Sequence, residues 1–286
     1  MNNWTKIRTS LLVMTLALLS VTISCKKDDG PCSDLGKVGG LLQDLAFPVS
    51  NDVALGLEVA NSVNEQFAND ILPEAGNEAA YAYLNAMVDD ILSSEDILYK
   101  DEFAWELTII DQDVLNAFAT PGGYIYVYTG LINYLENADD LAGVMGHEIA
   151  HADRRHSVNQ LIKSQGISVL ASIVLGQEAS TVKEIAIGLA ANAASLSFSR
   201  EDEADADAAS VEYLDETSFA CNGAAEFFRK LEAEGGSGVP EFLSTHPDPS
   251  NRVSDIDARA ACRSCSTENS TAKINGLTYT EFKALF

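Results

Sequence analysis

The most informative segment of the chain is His147-Glu148-Ile149-Ala150-His151, which follows apolar residues at helical spacing. Positions i and i+4 of a helix lie one turn apart on the same face, so both imidazoles reach a single ion. Glu148 is offset by one residue, which places its carboxylate near a ligand of that ion without making it a ligand. Two histidines and an adjacent base for water are what a zinc hydrolase needs. The sequence therefore predicts a helix that carries a catalytic zinc site.

The third protein ligand of this site must come from another part of the chain. A catalytic zinc ion takes three protein ligands and keeps one position open. The two remaining histidines, His156 and His246, are not at a spacing that completes a three-histidine motif. The acidic segment 199–207, Ser-Arg-Glu-Asp-Glu-Ala-Asp-Ala-Asp, is the better source of a ligand. Because such a charged run is ordinarily a solvated helix face, its spacing alone does not identify the ligand.

The two segments together resemble a known family, the gluzincin metallopeptidases that include HtpX and the CAAX-prenyl endopeptidases (metallopeptidase family forty-eight). The pattern is His-Glu-x-x-His followed about fifty residues later by Ser-Arg-x-x-Glu-x-x-Ala-Asp. All the fixed positions of the second motif match: Ser199, Arg200, Glu203, Ala206 and Asp207. The segment 116–130 and the element Thr245-His246-Pro247, with Arg252 after it, are similar to two further elements of that family.

The resemblance implies a fold and a set of roles. The fold is α+β and predominantly helical, a zincin-type metallopeptidase domain with a small sheet and an active-site helix. His147 and His151 bind one Zn²⁺ ion per chain, and Glu203 supplies the carboxylate ligand. Asp207, one turn beyond Glu203, accepts a hydrogen bond from a ligand imidazole. Glu148 takes a proton from the attacking water and passes it to the leaving amine. The neighbouring acids are expected to be solvated: Glu201, Asp202 and Asp205.

His246 is predicted to act in catalysis. The reaction needs a donor for the oxyanion that develops at the scissile carbonyl, and no histidine of the main motif is free for this role. His246 is predicted to be that donor, with Arg252 nearby as a contact to the transition state or the substrate. His246 could also bind the open zinc position and hold the enzyme latent. The two roles predict opposite effects of removing the side chain.

The periodicity of the remaining sequence predicts mostly helices and a small sheet. Alternating residues predict strands over 103–110 and 124–128. Tyr124 and Tyr126 would lie on an edge to which an extended substrate adds by backbone hydrogen bonds, although an ordinary half-buried strand explains the same pattern. Helical spacing predicts helices over 49–94 with a break at Pro73, 139–157, 161–175, 181–196, 200–213, 224–234 and 249–261.

The N-terminal residues predict export. Residues 1–24 contain a short basic segment and an apolar run over 11–23, which is too short to span a bilayer. The sequence Thr22-Ile23-Ser24-Cys25 resembles a bacterial lipobox, which predicts acylation of Cys25; an ordinary secretory signal is the alternative. Three parts follow: a lipoprotein signal peptide (1–24), the acylated cysteine with a flexible tether (25–48), and the zinc metallopeptidase domain (49–286).

The other cysteines are consistent with an oxidising compartment. An even number remains, Cys32, Cys221, Cys262 and Cys265, which predicts two disulfides in one of three pairings. Cys221 is expected to pair with Cys262 or with Cys265. Cys262-Arg-Ser-Cys265 could instead form a redox or zinc pair, but neither a second close pair nor a βαβ pattern accompanies it.

Charge and composition limit the partners. The 286 residues carry 18 Lys+Arg against 43 Asp+Glu, a formal net charge of −25, so a nucleic acid is excluded as a partner. Two apolar stretches, 167–176 and 185–198, are shorter than the roughly twenty residues that cross a bilayer and are expected to be core helices. The expected partners are protein or peptide substrates, together with a membrane bound through the acyl chains.

These patterns favour a zinc metalloendopeptidase that is lipid-anchored to the outer membrane, on its periplasmic face or at the cell surface. It would act outside the cytoplasm on unfolded or misassembled proteins. A chaperone-like binding lipoprotein with a masked zinc site is the alternative. An inert structural lipoprotein with a fortuitous motif would bind no zinc.

Overall fold

The computed structural model describes residues 47–165, 179–234, 240–247 and 251–286. The elements in chain order are α1 (Val49–Gln66), α2 (Glu78–Leu92), β1 (Glu106–Ile110), β2 (Ala117–Thr120), β3 (Tyr124–Tyr128), α3 (Thr129–Tyr134), α4 (Ala138–Asp153), α5 (His156–Gln165), α6 (Ala179–Asn192), α7 (Arg200–Leu214), α8 (Gly223–Ala233), α9 (Pro240–Thr245), α10 (Arg252–Arg263) and α11 (Tyr279–Lys283). The predictions made for the signal peptide, Cys25, Cys32 and the stretch 167–176 lie outside the described residues.

The predominantly helical α+β fold is confirmed, but the sheet differs from the expectation. It has three strands in the order β1-β3-β2, of which β2 was not predicted. β3 pairs in parallel with β1 and antiparallel with β2, so it is the central strand. The prediction that Tyr124 and Tyr126 lie on a free edge is therefore wrong. All five residues of β3 are buried, so the strand is covered on both faces, and the Tyr126 hydroxyl donates a hydrogen bond of 3.3 Å to Asn64 Oδ1.

The active-site helix α4 lies deep in the molecule and packs against α7 and α8. Its contact with α8 is made by backbone: a Cβ atom added at Gly143 would lie 2.0 Å from the nitrogen of Ala224. The carbonyl of Gly143 also accepts a hydrogen bond of 2.9 Å from Ser210 Oγ of α7. The glycine therefore sets how closely the three helices approach.

Gly143→Ala is expected to destabilise the fold by about 3 kcal/mol or more, because the new methyl group meets backbone that cannot move away without separating two helices. Urea unfolding measures this loss as a lower midpoint. Gly188→Ala on α6 is the matched control, since a Cβ atom there meets nothing within 4 Å and alanine favours a helix by about 1 kcal/mol. Equal midpoints for the two variants would contradict the close packing of α4 on α8.

Buried carboxylates fix both ends of α4. At the N-terminus, Asp139 Oδ1 accepts a hydrogen bond of 2.7 Å from the backbone nitrogen of Ala220. At the C-terminus, Asp153 accepts hydrogen bonds of 2.5 Å from the Tyr213 hydroxyl and 2.8 Å from the backbone nitrogen of Tyr99. Because these bonds join α4 to remote segments, the helix that carries the predicted ligands is held in a single position.

The cysteine prediction is confirmed for one pair. Cys221 forms a disulfide with Cys265, with Cα atoms 6.2 Å apart, which is one of the two expected partners. Cys262 is also disulfide-bonded. The alternative of a redox or zinc pair formed by Cys262 and Cys265 is therefore wrong.

The second apolar stretch, 185–198, was expected to be a buried core helix, and this expectation holds only in part, because Ile187 is 50% exposed and the helix ends at Asn192. The stretch comprises the end of α6, a short 3₁₀ turn (Ala193–Ser195) and an extended segment. Ala186 and Ala190 are buried on one face of α6, which packs against α1. Within the ranges that the structure describes, no helix is both long and apolar enough to cross a membrane.

Candidate metal centre and active site

Four buried side chains from three parts of the fold come together in one cluster. His147 and His151 lie one turn apart on α4, Glu203 lies in the first turn of α7, and His246 follows the end of α9. One ligand atom from each residue lies within 4.8 Å of the other three. The two histidines and the glutamate are the residues that the sequence predicts as ligands. His246 was predicted mainly as a donor to the oxyanion, and a place among the ligands was the alternative.

Several distances within this cluster are close to the separation of ligand atoms around a tetrahedral zinc ion, and the two distances to Glu203 end on different carboxylate oxygens. His147 Nε2 lies 2.9 Å from His151 Nε2 and 3.4 Å from Glu203 Oε2. His246 Nδ1 lies 3.3 Å from His147 Nε2 and 3.1 Å from Glu203 Oε1. Four ligand atoms around a tetrahedral zinc ion, each roughly 2.0–2.1 Å from it, are separated by about 3.3 Å. Glu203 Oε2 is also buried without a hydrogen-bond partner of normal geometry, as a metal ligand would be. The residues present therefore fit the metal that the motif predicts.

Glu148 is buried beside the cluster without belonging to it. Its Oε1 atom has no hydrogen-bond partner of normal geometry and lies 3.4 Å from His246 Nε2. Burial raises the pKa of Glu148 above its ordinary value, and the positive charges of His246 and His147 oppose this shift. The side chain lines a small pocket together with Thr120 and Phe198. A carboxyl group with a raised pKa in such a pocket is suited to exchange a proton with a substrate.

Asp207 lies where it was expected, behind the imidazole of His147. Its Oδ1 atom is 2.9 Å from His147 Nδ1, so the proton of that ring is held on the side away from the cluster. Burial and the charge of Arg252 lower the pKa of His147, but the hydrogen bonds to Asp207 and Glu203 outweigh both and raise it to about 9. A metal ion that binds Nε2 of this ring therefore displaces a proton near neutral pH.

Arg252 is buried against the same carboxylates. Its Nη2 atom lies 2.7 Å from Asp207 Oδ1 and 3.0 Å from Glu203 Oε2, and its guanidinium carbon lies 3.8 Å from the ring centre of Phe228. The side chain thus neutralises two acids that would otherwise repel each other in the interior. Its contact with a transition state or a substrate stays a prediction.

The register of α7 explains which acids of segment 199–207 face the site. The Ser199 hydroxyl accepts a hydrogen bond from the Asp202 nitrogen, and the Asp202 side chain accepts one in return, so the helix begins at a capping box. Glu203 and Asp207, four residues apart, then share the buried face, while Glu201 is exposed as expected. Asp205 was expected to be solvated, but its Oδ2 atom lies 3.3 Å from His156 Nε2, so that expectation is wrong.

Sequence reasoning missed two residues that contact the cluster. His156, which follows the end of α4, places its Nδ1 atom 2.9 Å from His151 Nδ1. Phe198 stacks on the ring of His151 with the ring centres 4.0 Å apart. The available signal for Phe198 was its place directly before the Ser199 motif. For His156 the signal was its position five residues after His151, just beyond the end of the active-site helix.

The fold and the ligand cluster define a zincin-type metallopeptidase. The family model described as peptidase family M48 matches residues 78–260, which include all four cluster residues and Glu148. Because this match covers more than half of the chain, the chain belongs to peptidase family M48. The resemblance noted from the motifs is confirmed.

Individual relatives are similar to this chain over its metallopeptidase part. The mitochondrial metalloendopeptidase OMA1 of Bos taurus is 29% identical over 214 residues, which is 68% of this chain and 39% of the relative. The OMA1 protein of Schizosaccharomyces pombe is 28% identical over 220 residues, 72% of this chain and 62% of the relative. The β-barrel assembly-enhancing protease of Escherichia coli K12 is 32% identical over 163 residues, 53% of this chain and 34% of the relative. The chain thus spans between about a third and two thirds of the length of these relatives.

Proposed function

We propose that this chain is a zinc-dependent metalloendopeptidase that hydrolyses peptide bonds of extracytoplasmic proteins and serves envelope protein quality control. The observation that carries the chemistry is the buried Glu148 carboxylate beside four buried side chains whose ligand atoms lie within 4.8 Å of one another. Membership of family M48 and the names of the relatives, metalloendopeptidases and a protease that enhances β-barrel assembly, support the same activity. His147, His151 and Glu203 are proposed as the metal ligands of the working enzyme.

The residues around the site divide the chemistry among them. His147, His151 and Glu203 would hold the zinc ion, which would supply Lewis acidity by lowering the pKa of a coordinated water to about 7 and polarising the scissile carbonyl. Glu148 accepts a proton from the attacking water and delivers it to the leaving nitrogen. Burial raises the pKa of Glu148 toward neutral pH, so the carboxyl group can both accept and donate a proton. Asp207 keeps the His147 ring turned with Nε2 toward the cluster.

The proposed substrate strand pairs with β2 rather than with β3. The Tyr128 nitrogen donates to the Asn116 carbonyl at 3.2 Å, and hydrogen-bonded pairs alternate along an antiparallel ladder. The next residue of β2 that is hydrogen-bonded to β3 is therefore Phe118. The N–H and C=O groups of Ala119 point away from β3. Ala119 lines the same pocket as Glu148. An extended peptide that pairs with Ala119 would pass directly beside the base.

His246→Ala tests the two roles of this histidine. Its Nδ1 atom lies among the ligand atoms, where it would complete a four-ligand site and close the position that water needs. We expect the variant to bind zinc more weakly, by about 10-fold or more, and to cleave casein faster than the wild type. The measurements are the zinc dissociation constant and the initial rate of cleavage under zinc saturation.

The opposite result identifies the other role. If His246 donates to the oxyanion, His246→Ala lowers turnover by about 10²–10³-fold and leaves zinc affinity unchanged. Unchanged turnover together with unchanged zinc affinity contradicts both roles. Ser244→Ala is the matched control, because this neighbour is exposed and outside the ligand cluster.

Zinc content and casein cleavage test the proposed function directly. The purified chain is expected to contain zinc, to cleave casein, to lose cleavage on treatment with a chelator, and to regain it when zinc is restored. The chaperone-like alternative is favoured by one observation, the position of His246 Nδ1 at the place of a fourth ligand, which would mask the site. A chain that holds zinc but cleaves no peptide bond would support that alternative, and a chain without zinc would contradict both.

The proposed location is the outer membrane, reached through acyl chains on Cys25. The Cys221–Cys265 disulfide supports an oxidising compartment. Cys25→Ser is expected to release the protein from the membrane fraction, because each buried methylene of an acyl chain contributes about 0.8 kcal/mol to anchoring. Fractionation of cells that express either form measures this. Unchanged sedimentation of the variant with membranes would contradict the anchor.

A further inference from the structure

We propose that His156 and Asp205 form a hydrogen-bonded relay that holds His151 in the tautomer and orientation needed to bind the metal. Both are positioning residues: neither touches the ligand atoms of the cluster, and both act through the ring of His151. The inference rests on the proposed function, since it takes His151 as a metal ligand. It assigns a role to the histidine outside the motif and to an acid of segment 199–207 that the catalytic site leaves unused.

The three groups form a continuous chain that leads away from the cluster. His151 Nδ1 lies 2.9 Å from His156 Nδ1, and His156 Nε2 lies 3.3 Å from Asp205 Oδ2. Both histidines are buried, and the Asp205 side chain is 23% exposed, so this series of hydrogen bonds leads from the interior to the surface. Phe198 packs against both rings, with centre distances of 4.0 Å to His151 and 6.1 Å to His156. The rings are thus confined by packing as well as by hydrogen bonds.

The positions of the nitrogen atoms determine the direction of each hydrogen bond. His151 Nε2 faces the other ligand atoms, so it must keep its lone pair free for the metal. A neutral imidazole then carries its proton on Nδ1, and this N–H can only donate to His156 Nδ1. His156 must in turn carry its own proton on Nε2, which donates to Asp205 Oδ2. A single arrangement of protons therefore satisfies every atom of the relay.

His156 does not serve as a further ligand of the same ion. Its closest approach to His151 is to Nδ1, on the side of that ring opposite to the nitrogen that faces the cluster. The other ligand histidine has a comparable but shorter support, because His147 Nδ1 meets Asp207 Oδ1 directly at 2.9 Å. Asp205 and Asp207 are two residues apart on α7 and project in different directions. Asp207 therefore supports His147 directly, whereas Asp205 supports His151 through the ring of His156.

Zinc affinity is the measurement that tests the relay. Competition with a chromophoric chelator gives the dissociation constant of zinc for the full chain and its variants. His156→Phe retains an aromatic ring but neither hydrogen bond, and Asp205→Ala deletes the last acceptor at a partly exposed site. We expect each change to raise the dissociation constant by about 10–100-fold. Glu201→Ala is the matched control, because it removes an exposed acid one turn before Asp205 on α7, and its affinity should equal that of the wild type.

Nitrogen NMR of histidine-labelled, zinc-loaded protein distinguishes a relay from a purely structural contact. In the wild type we expect the proton of His151 on Nδ1 and that of His156 on Nε2. In Asp205→Ala, the His156 ring should lose this preference and exchange between tautomers. Wild-type zinc affinity in both His156→Phe and Asp205→Ala, or a His156 proton on Nδ1 in the wild type, would overturn the relay. If the wild type and Glu201→Ala bind no zinc, the proposed function itself fails.

Discussion

Replacing Glu148 with glutamine is expected to reduce casein cleavage by about 10³-fold or more while zinc remains bound as in the wild type. Glutamine has nearly the same shape as glutamate but cannot accept a proton from water, and general base catalysis contributes about 10²–10⁴-fold. Glu148 lies outside the four-residue ligand cluster, so its replacement leaves every ligand atom in place. Initial rates of cleavage and the zinc content of the dialysed protein are the two measurements.

Glu201→Gln is the control for this experiment. It makes the same chemical change at an exposed position of α7, so both rate and zinc content should match the wild type. The Glu148 variant should also unfold at a midpoint no lower than that of the wild type, because burial already disfavours the charged carboxylate. A normal rate of cleavage by Glu148→Gln would show that another group takes the proton.

Replacing Glu203 with glutamine is expected to remove both the metal and the activity. Burial raises the pKa of Glu203, but the charge of His246 and hydrogen bonds from His147 and His246 overcome this and hold the pKa well below its ordinary value. The group is therefore an anion at any working pH, as a ligand carboxylate must be. A neutral amide binds zinc poorly and also leaves the nearby Arg252 charge with less compensation. Elemental analysis after dialysis measures the loss of zinc.

A second ligand variant separates loss of the ligand from loss of the fold. His151→Ala should also lose zinc and activity, although it removes no negative charge. Circular dichroism of both variants should retain the helical signal, since neither change removes the Cys221–Cys265 disulfide or the contact of Gly143 with α8. A full equivalent of zinc in either variant would contradict the ligand assignment.

The active-site helix and its motif were predictable because their information is local. His147 and His151 lie on one face of any helix that contains them, and the apolar spacing around them already predicts that helix. The structure extends α4 from Ala138 to Asp153, within a few residues of the predicted bounds. The same holds for β3, whose predicted bounds, 124–128, are those observed.

The sheet shows where local information ends. The alternation of Tyr124 and Tyr126 predicts a strand correctly but says nothing about its neighbours. β3 is central because β1 pairs along one side of it, in parallel, and β2 along the other. β2 was missed because its sequence, Ala-Phe-Ala-Thr, is short and has weak strand character. The outer strand of the sheet beside Glu148 is therefore one that the sequence did not reveal.

The class of chemistry could be read from the amino-acid sequence: two histidines and a glutamate on one helix, and an acidic helix with a candidate carboxylate ligand about fifty residues further on. The groups that surround them became known from the three-dimensional fold. It brings His246 to within 3.3 Å of His147 from 99 residues away, and it places His156 between His151 and Asp205. The reason is physical: side-chain positions within a helix follow from its period, whereas contacts between helices depend on close approaches such as that at Gly143, which no local pattern encodes.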